Sequence, residues 1–390
     1  MAEKLDVAVV GAGPFGLSVA AHLQGSRVRT FGAEMETWRT FMPPEMLMRS
    51  AWEETSISAP EGAGDLDVWT REAGESRREP IPLEMFLRYS EWFAERFVPD
   101  RDPSRVASLE PNGRGYRLTT EQGSEMDAEH VVVAVGVMPF AYVPPGLAEQ
   151  LGESISLATG IENASRYSGK RVLVVGGGQA GLEAAGLAAQ AGATVELVTR
   201  SEVRWFANRE SHNPRGPVRN RLYRLAYPVV GFGPPPLNRL VMMPDLFAAL
   251  PERTRRSVTA RVLRSGGSPW LRQFVERSVR VSEHNTVEQV EDGPGGLVLR
   301  LSDGSEREVD NILIACGYRF DLDRLPFLSP EVRARIATRS GWPVIDRLFR
   351  SSDPRMFFVG YAAEHLFGPL SRFVLGTEFT APRVRQAIKP

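Results

Sequence analysis

The chain of 390 residues holds a single cysteine, Cys316. No intrachain disulfide and no Cys-x-x-Cys pair can form, which excludes a thiol–disulfide reductase of the usual two-cysteine kind. Lysine is nearly absent, standing only at Lys4, Lys170 and Lys389, so arginine carries almost all the positive charge. No apolar run reaches the roughly 20 residues of a membrane span; the best candidate, after Gly181, is broken by Glu183 and Gln190. The first strand-like run begins at Leu5, which leaves no room for a signal peptide, and a soluble cytoplasmic protein is expected. Low-complexity tracts are missing. The five histidines, His22, His130, His212, His284 and His365, lack the spacing of metal ligands. Ser-His-Asp and paired-carboxylate arrangements are not evident either, so a mechanism borne by protein side chains alone has no support.

What is present fits an ordinary globular protein of two or three domains, with 42% hydrophobic and 24% charged residues. The net charge of −1 hides an uneven distribution: positions 200–280 carry 16 arginines against Glu202, Glu210, Asp245, Glu252 and Glu276. Such a stretch reads either as a solvated basic face or as an attractor of a phosphorylated cofactor or acidic substrate. No nucleic-acid reading motif accompanies it, so nucleic acid is not expected as a partner. Within it, the proline-rich loop GFGPPPLNRL at 231–240 reads as the border of a substrate entrance or as a subunit contact in a homodimer.

Two segments carry chemistry. The run LDVAVV is followed by GAGPFG at 11–16 and then by LSVAAHL, a buried strand, a glycine turn and a small-residue helix. Gly11 permits the tight turn, Gly13 lets backbone N–H groups approach a pyrophosphate, and Gly16 lets the helix pack closely on the strand. A pyrophosphate so placed meets the unpaired N–H groups and positive end of a helix. The pattern recurs as RVLVV, then GGGQAG at 176–181, then LEAAGLAAQAGA and the strand TVELVTR. Two such cradles imply two nucleotides, with a flavin in the first and a nicotinamide in the second.

The residues at the tip of each unit's second strand set the ribose chemistry. An acid there holds a 2′-hydroxyl, whereas arginine accommodates a 2′-phosphate. The second unit ends Thr199-Arg200-Ser201 with Arg204 close behind, which favours NADPH; the alternative is that Arg200 is an ordinary surface arginine. The first unit ends at Gly32, with Glu34 or Glu36 as substitutes for the missing acid. VVVAVG at 131–136 and NILIACGY at 311–318 read as buried strands that carry the chain between domains. MFFVGYAAEHLFGPLSRFVLG at 356–376 reads as a strand, a glycine-containing loop and a helix whose N-terminus faces the flavin.

Taken together, GAGPFG, Trp38-Arg39, GKRVLVVGGGQAG, IACGY and the closing FVGY…GPLSRFVLG resemble the two-dinucleotide-binding-domain flavoproteins, and within them the class B flavin-dependent monooxygenases. That group includes flavin-containing, N-hydroxylating and Baeyer–Villiger enzymes, and the resemblance covers nearly the whole chain. It implies an α/β fold of two nested Rossmann-like domains with mostly parallel sheets. Residues 1–165 and 310–390 would bind FAD, and 166–309 would bind NAD(P)H. It implies cofactor contacts from Gly11, Gly13, Pro14, Phe15 and Gly16, from Trp38, Arg39, Ser50 and Val106, and from Ala134 and Gly136. On the nicotinamide side they are Gly176, Gly178, Gln179, Ala180, Gly181, Thr199, Arg200, Ser201, Cys316 and Gly317, and on the return segment Gly360, Phe367 and Gly368. Arg49 and Trp52, in the segment MLMRSAWE, and His365 are the catalytic candidates, with packing the alternative for Arg49 and Trp52; Arg372 flanks the same loop as His365. The chemistry implied is oxygenation of a small organic molecule by O2 through a C4a-(hydro)peroxyflavin. The alternative is a reductase that passes electrons to a quinone or protein acceptor. The chain departs from the group at Val135 and Cys316, where its Ala-Thr-Gly segments carry threonine. It departs again at Leu157, where the fingerprint before the second cradle carries histidine, and that departure bears on oxygenation itself.

Overall fold

The computed structural model describes residues 3–113, 115–159, 161–206 and 233–389. His212, the 207–232 portion of the arginine-rich stretch and the first two residues of the proline-rich loop lie outside the described residues.

Leu5 to Val10 form a run of β-branched and small residues, and the strand Glu3–Val10 that contains them is buried on both faces from Val7 onward. Such burial is the signature of a parallel strand covered by helices. Its neighbours are Val28–Phe31 on one side and Glu125–Val133 on the other, both parallel. Arg101–Asp102 extends the sheet beyond Val28–Phe31. Beyond Glu125–Val133 the antiparallel strands Gly115–Thr120 and Val106–Asn112 follow, and Met356–Phe358 pairs parallel with the far end of Glu125–Val133. The resulting seven-stranded sheet holds the larger core. The helices Pro14–His22 and Gly376–Ile388 pack against each other beside it.

The second sheet is wholly parallel, in the order Val279–Ser282, Thr194–Val198, Arg171–Val175, Asn311–Ile314 and Ile155–Leu157. It draws in strands from both sides of 166–309. The helices Gln179–Gln190 and Pro269–Ser278 cover one face, burying Leu182, Ala185, Leu271 and Val275 against Val172 and Leu197. The other face is covered by an antiparallel flap of Val287–Gly293, Gly296–Leu301 and Glu306–Val309, whose Leu299 and Leu301 pack on Leu173 and Ile312. Both sheets together make an α/β fold with mostly parallel strands.

Two segments cross between the sheets, and they pair with each other. The Tyr142 N–H donates to the Gly317 carbonyl at 2.8 Å, and the Arg319 N–H donates to the Phe140 carbonyl at 2.8 Å. The Arg319 guanidinium lies 3.5 Å from the centre of the Tyr142 ring. The connection is therefore a short two-stranded ribbon rather than two independent tethers.

Ion pairs fasten the flap, and Glu196–Arg307 is better shielded than Arg171–Glu308. Glu196 projects from its strand toward the flap and accepts from Arg307 Nε at 2.8 and 3.0 Å and from the Ser282 hydroxyl at 2.6 Å. Both side chains are largely shielded. Burial pushes the Glu196 carboxyl up, but the Arg307 and Ser282 hydrogen bonds outweigh it and leave the group below its ordinary value. Glu196→Ala should lower the unfolding free energy by about 2 kcal/mol, the worth of hydrogen bonds to a charged group. Because the folded pKa is depressed, this stabilisation is present above the unfolded value and is lost as pH falls through the folded one. Melting curves from pH 7 to 3 should show an acid-dependent contribution that Glu196→Gln removes.

Candidate functional site

The two glycine turns have the same geometry. Gly11 has φ +113° and Gly176 φ +123°, conformations that L side chains rarely adopt. A Cβ on Gly11 would stand 2.4 Å from the Ala134 carbonyl oxygen, and one on Gly176 would stand 2.3 Å from that of Ala315. Each turn is thus pressed against the residue that leaves the neighbouring parallel strand. A Cβ on Gly16 would sit 1.8 Å from the Gly11 carbonyl oxygen, and one on Gly181 would sit 1.9 Å from that of Gly176. Only the middle glycines, Gly13 and Gly178, face open space, with nothing within 4 Å of an added Cβ. They are also the N-cap residues of the helices Pro14–His22 and Gln179–Gln190, neither of which has a side-chain cap. Open space beside uncapped helix N–H groups, twice over, is what a dinucleotide pyrophosphate requires. Pro14 occupies the first helical position, where its missing N–H costs nothing.

Around the first cradle, the backbone folds back at Gly32, whose N–H donates to the Asp102 carbonyl at 2.9 Å and whose Cα faces Gly11. Glu36 is taken by Arg105. Glu34 is the acid left near the turn, 3.5 Å from Arg39 and 3.8 Å from Arg101, with its pKa raised by burial. Trp38 packs edge-on against Phe86 at 5.1 Å. Val106 is buried at the start of the outer meander strand. Trp52 is 2% exposed, and its indole N–H donates to Asp67 at 2.7 Å, so both its ring and its polar tip are committed within the domain. Ser50 is half-buried and Arg49 exposed. Arg49 reaches across to the second unit and stacks on Phe206 at 4.5 Å.

The return segment closes on the same cradle. Phe15 fills the space where Gly360 and Gly376 lack a Cβ, at 3.3 and 3.0 Å. Phe367 is fully buried against Phe349 and Phe379. The space beside Gly368 is filled by Phe247, 2.6 Å from a would-be Cβ. His365 lies against Trp342, its Nδ1 has no hydrogen-bond partner, and burial pushes its pKa down to about 4, so the imidazole is neutral near pH 7. Arg372 pairs with the buried Glu364 and lies over Tyr361 at 4.5 Å.

At the second cradle, Ser268 donates to Gln179 Oε1 through its backbone N–H at 2.9 Å and its hydroxyl at 3.0 Å. Nothing in the local sequence around Gln179 announces a partner 89 residues away. Thr199 is buried, and its hydroxyl donates to the Ser201 carbonyl at 2.7 Å. Ala180, Arg200, Ser201 and Arg204 are exposed. Cys316 is half-buried beside Val175; burial raises its thiol pKa, and the charges of Arg200 and Arg319 oppose this. The raised value leaves the thiol protonated near pH 7. Gly136 and Gly317, φ +69° and +80°, follow the strands Glu125–Val133 and Asn311–Ile314 where the chain leaves each sheet, each with open space beside it. Among the described residues no cluster suits a metal ion, and no helix is long and apolar enough to cross a membrane.

The open middle glycines allow a clean separation of roles. The Cβ added in Gly13→Ala meets no protein atom within 4 Å and the residue keeps its φ of −84°, so the melting temperature of the ligand-free protein should hardly move. Dinucleotide affinity at that cradle should fall on the order of 100-fold, as expected when the helix N–H contacts are blocked. Gly16→Ala should instead lower the melting temperature itself, and calorimetry with cofactor titration distinguishes the two.

Comparison with known proteins agrees with this geometry. The chain is 34% identical over 82 residues to a ferredoxin–NADP reductase of Thermus thermophilus, covering 20% of this chain and 24% of that protein. It is 24% identical to the probable indole-3-pyruvate monooxygenase YUCCA8 of Arabidopsis thaliana, over 92% of this chain and 85% of that one. The chain spans about half or less of the length of the first curated relatives it matches. In three dimensions it resembles the ornithine N-hydroxylase of Kutzneria sp. 744, with a TM-score of 0.77 at 15% identity and 99% of both chains covered, a likeness of fold. Residues 8–226, more than half of the chain and inclusive of both glycine turns, match the pyridine nucleotide-disulphide oxidoreductase family, and the chain belongs to it.

Proposed function

We propose that the protein is an FAD-dependent, NADPH-using monooxygenase of a small organic substrate. The observation that carries the proposal is the pair of complete, geometrically equivalent cradles, each with an open middle glycine at an uncapped helix start. The single cysteine excludes an intrachain redox-active disulphide, since such a pair needs two. The likeness over most of the chain to a probable indole-3-pyruvate monooxygenase and to an ornithine N-hydroxylase supports oxygenation.

In this reading, the turn at Gly11, Gly13 and Gly16 holds the FAD pyrophosphate, and Glu34 is the acid at hand for its ribose. The turn at Gly176, Gly178 and Gly181 holds the NADPH pyrophosphate, with Arg200 and Arg204 available to the 2′-phosphate. When bound, the two cofactors supply hydride transfer and oxygen activation, and the protein supplies orientation and exclusion of water. The residues around that chemistry are suited to it. His365 is neutral, Cys316 is a protonated thiol, and the return segment 360–376 seals the first cradle through Phe15. The specific observation favouring the alternative, a reductase without oxygen insertion, is Leu157, which packs against the apolar core under the second sheet instead of offering an imidazole.

Two measurements test the proposal. Reduced protein mixed with O2 and NADP+ in a stopped-flow instrument should show a transient absorbance belonging to neither reduced nor oxidised flavin. A direct return to oxidised flavin transfers the assignment to the reductase. Arg200→Ala should raise the Michaelis constant for NADPH about 10- to 150-fold, the worth of one hydrogen bond to a charged group, with that for NADH nearly unchanged. Equal losses with both nucleotides would mean that Arg200 holds something other than the 2′-phosphate.

A further inference from the structure

The helix Glu252–Val262 lies between two strands of the second sheet in sequence, yet it sits on the first domain. From it, Arg255 donates through Nε to the His365 carbonyl at 3.0 Å and through Nη1 to the Leu250 and Ala248 carbonyls at 2.6 and 3.3 Å. The Arg255 guanidinium is thus shared between the insertion and the return segment that closes on the first cradle. Its surroundings repeat the connection. The ring of Phe247 fills the space at Gly368, Asp245 pairs with Arg383 at 2.7 Å, and Glu252 pairs with Arg339 at 3.4 Å.

The other end of this helix leads to the second cradle. Shortly after Val262 the chain reaches Gly267, whose N–H donates to the Arg204 carbonyl at 2.8 Å and whose carbonyl accepts from the Phe206 N–H at 2.9 Å. The next residue is Ser268, doubly bonded to Gln179 at the start of the second cradle's helix. A helix of 11 residues spans roughly 16 Å; it contacts the closing segment of the first cradle near its start, and the chain that leaves its end reaches the wall of the second cradle at Gly267 and Ser268.

We infer that Glu252–Val262 is a strut between the two cradles, and that Arg255 is a positioning residue that fixes the 364–372 loop over the first cradle by holding the His365 carbonyl. The inference deepens the proposed function and rests on it for the identity of the two ligands, but the strut itself needs neither. Three backbone carbonyls on one guanidinium demand a fork of donors that lysine cannot reproduce in full. Replacement by methionine keeps the apolar stem and removes every donor.

The test is hydrogen–deuterium exchange on the protein as purified, read peptide by peptide, beside a flavin difference spectrum on addition of NADP+. In Arg255→Met the amides of 364–373 should exchange about 10-fold faster, as loss of hydrogen bonds to a charged donor implies, while those of Pro14–His22 keep their rates. Arg255→Lys should restore part of the protection. The change that NADP+ produces in the flavin spectrum should shrink several-fold in Arg255→Met, with the NADP+ dissociation constant from calorimetry within about 3-fold of the parent. Unchanged exchange in 364–373, or faster exchange spread evenly over the whole domain, overturns the inference; so does an undiminished difference spectrum. Wild-type protein that takes up neither FAD nor NADP+ would instead strike the proposed function, and the exchange result would still decide the strut.

Discussion

Among the described residues the tightest glycine contacts are with a glycine carbonyl: Gly16 against Gly11, and Gly181 against Gly176, with less than 2 Å left for any Cβ. Everything else about the two cradles follows from that approach. It seats the first turn of each helix directly on the strand that precedes it, which aims the uncapped N–H groups at the open side of the middle glycine. It also brings the turn against the carbonyl of the next parallel strand, Ala134 in one case and Ala315 in the other. A methyl group at any of these four positions would push helix and strand apart and move the N–H groups away from where a pyrophosphate must sit.

Because that constraint is local, it was legible. Spacing of glycines between a buried strand and a small-residue helix needs no knowledge of the rest of the chain, and both turns stand where the motifs put them. The crossing strands were legible for a similar reason, since Val131, Val132 and Val133 and then Ile312, Leu313 and Ile314 are continuous apolar runs that only a doubly covered strand explains. The edge strand Ile155–Leu157 was not, because three residues carry no periodicity; it belongs to the second sheet only because Ile155 and Ile312 share one core. Trp52 shows the limit for single residues. Its place beside Arg49 and Ser50 suggested the flavin, and the contacts it makes, to Asp67, Glu79 and Arg77, are with residues 15 to 27 positions further along the chain.

What no local pattern could announce is the docking of the insertion. Arg255, Asp245 and Glu252 are ordinary members of an arginine-rich stretch, and their partners His365, Arg383 and Arg339 lie 87 to 138 residues away. Charged pairs have no periodicity, and any of the many arginines could have served. Phe247 is the more decisive residue: a fully buried aromatic on a six-residue helix must find its cavity elsewhere, and the cavity is the missing side chain of Gly368. A glycine that reads as a cofactor contact by motif is here also a socket for the insertion.

This dual use bears on how the two sheets are held. The crossing ribbon at 138–142 and 317–320 is a narrow connection, held by two backbone hydrogen bonds. The Arg49–Phe206 contact and the docking of 245–255 on 364–383 add contacts between the two parts of the chain outside that ribbon. Interfaces within a chain are small and polar as a rule, so relative motion is the default unless something opposes it. Here what opposes it is built from Phe247, wholly buried, and Arg255, bonded to carbonyls on both sides of the junction. Moving the sheets apart would expose the first and strip acceptors from the second, and both costs fall on the segment that closes the first cradle.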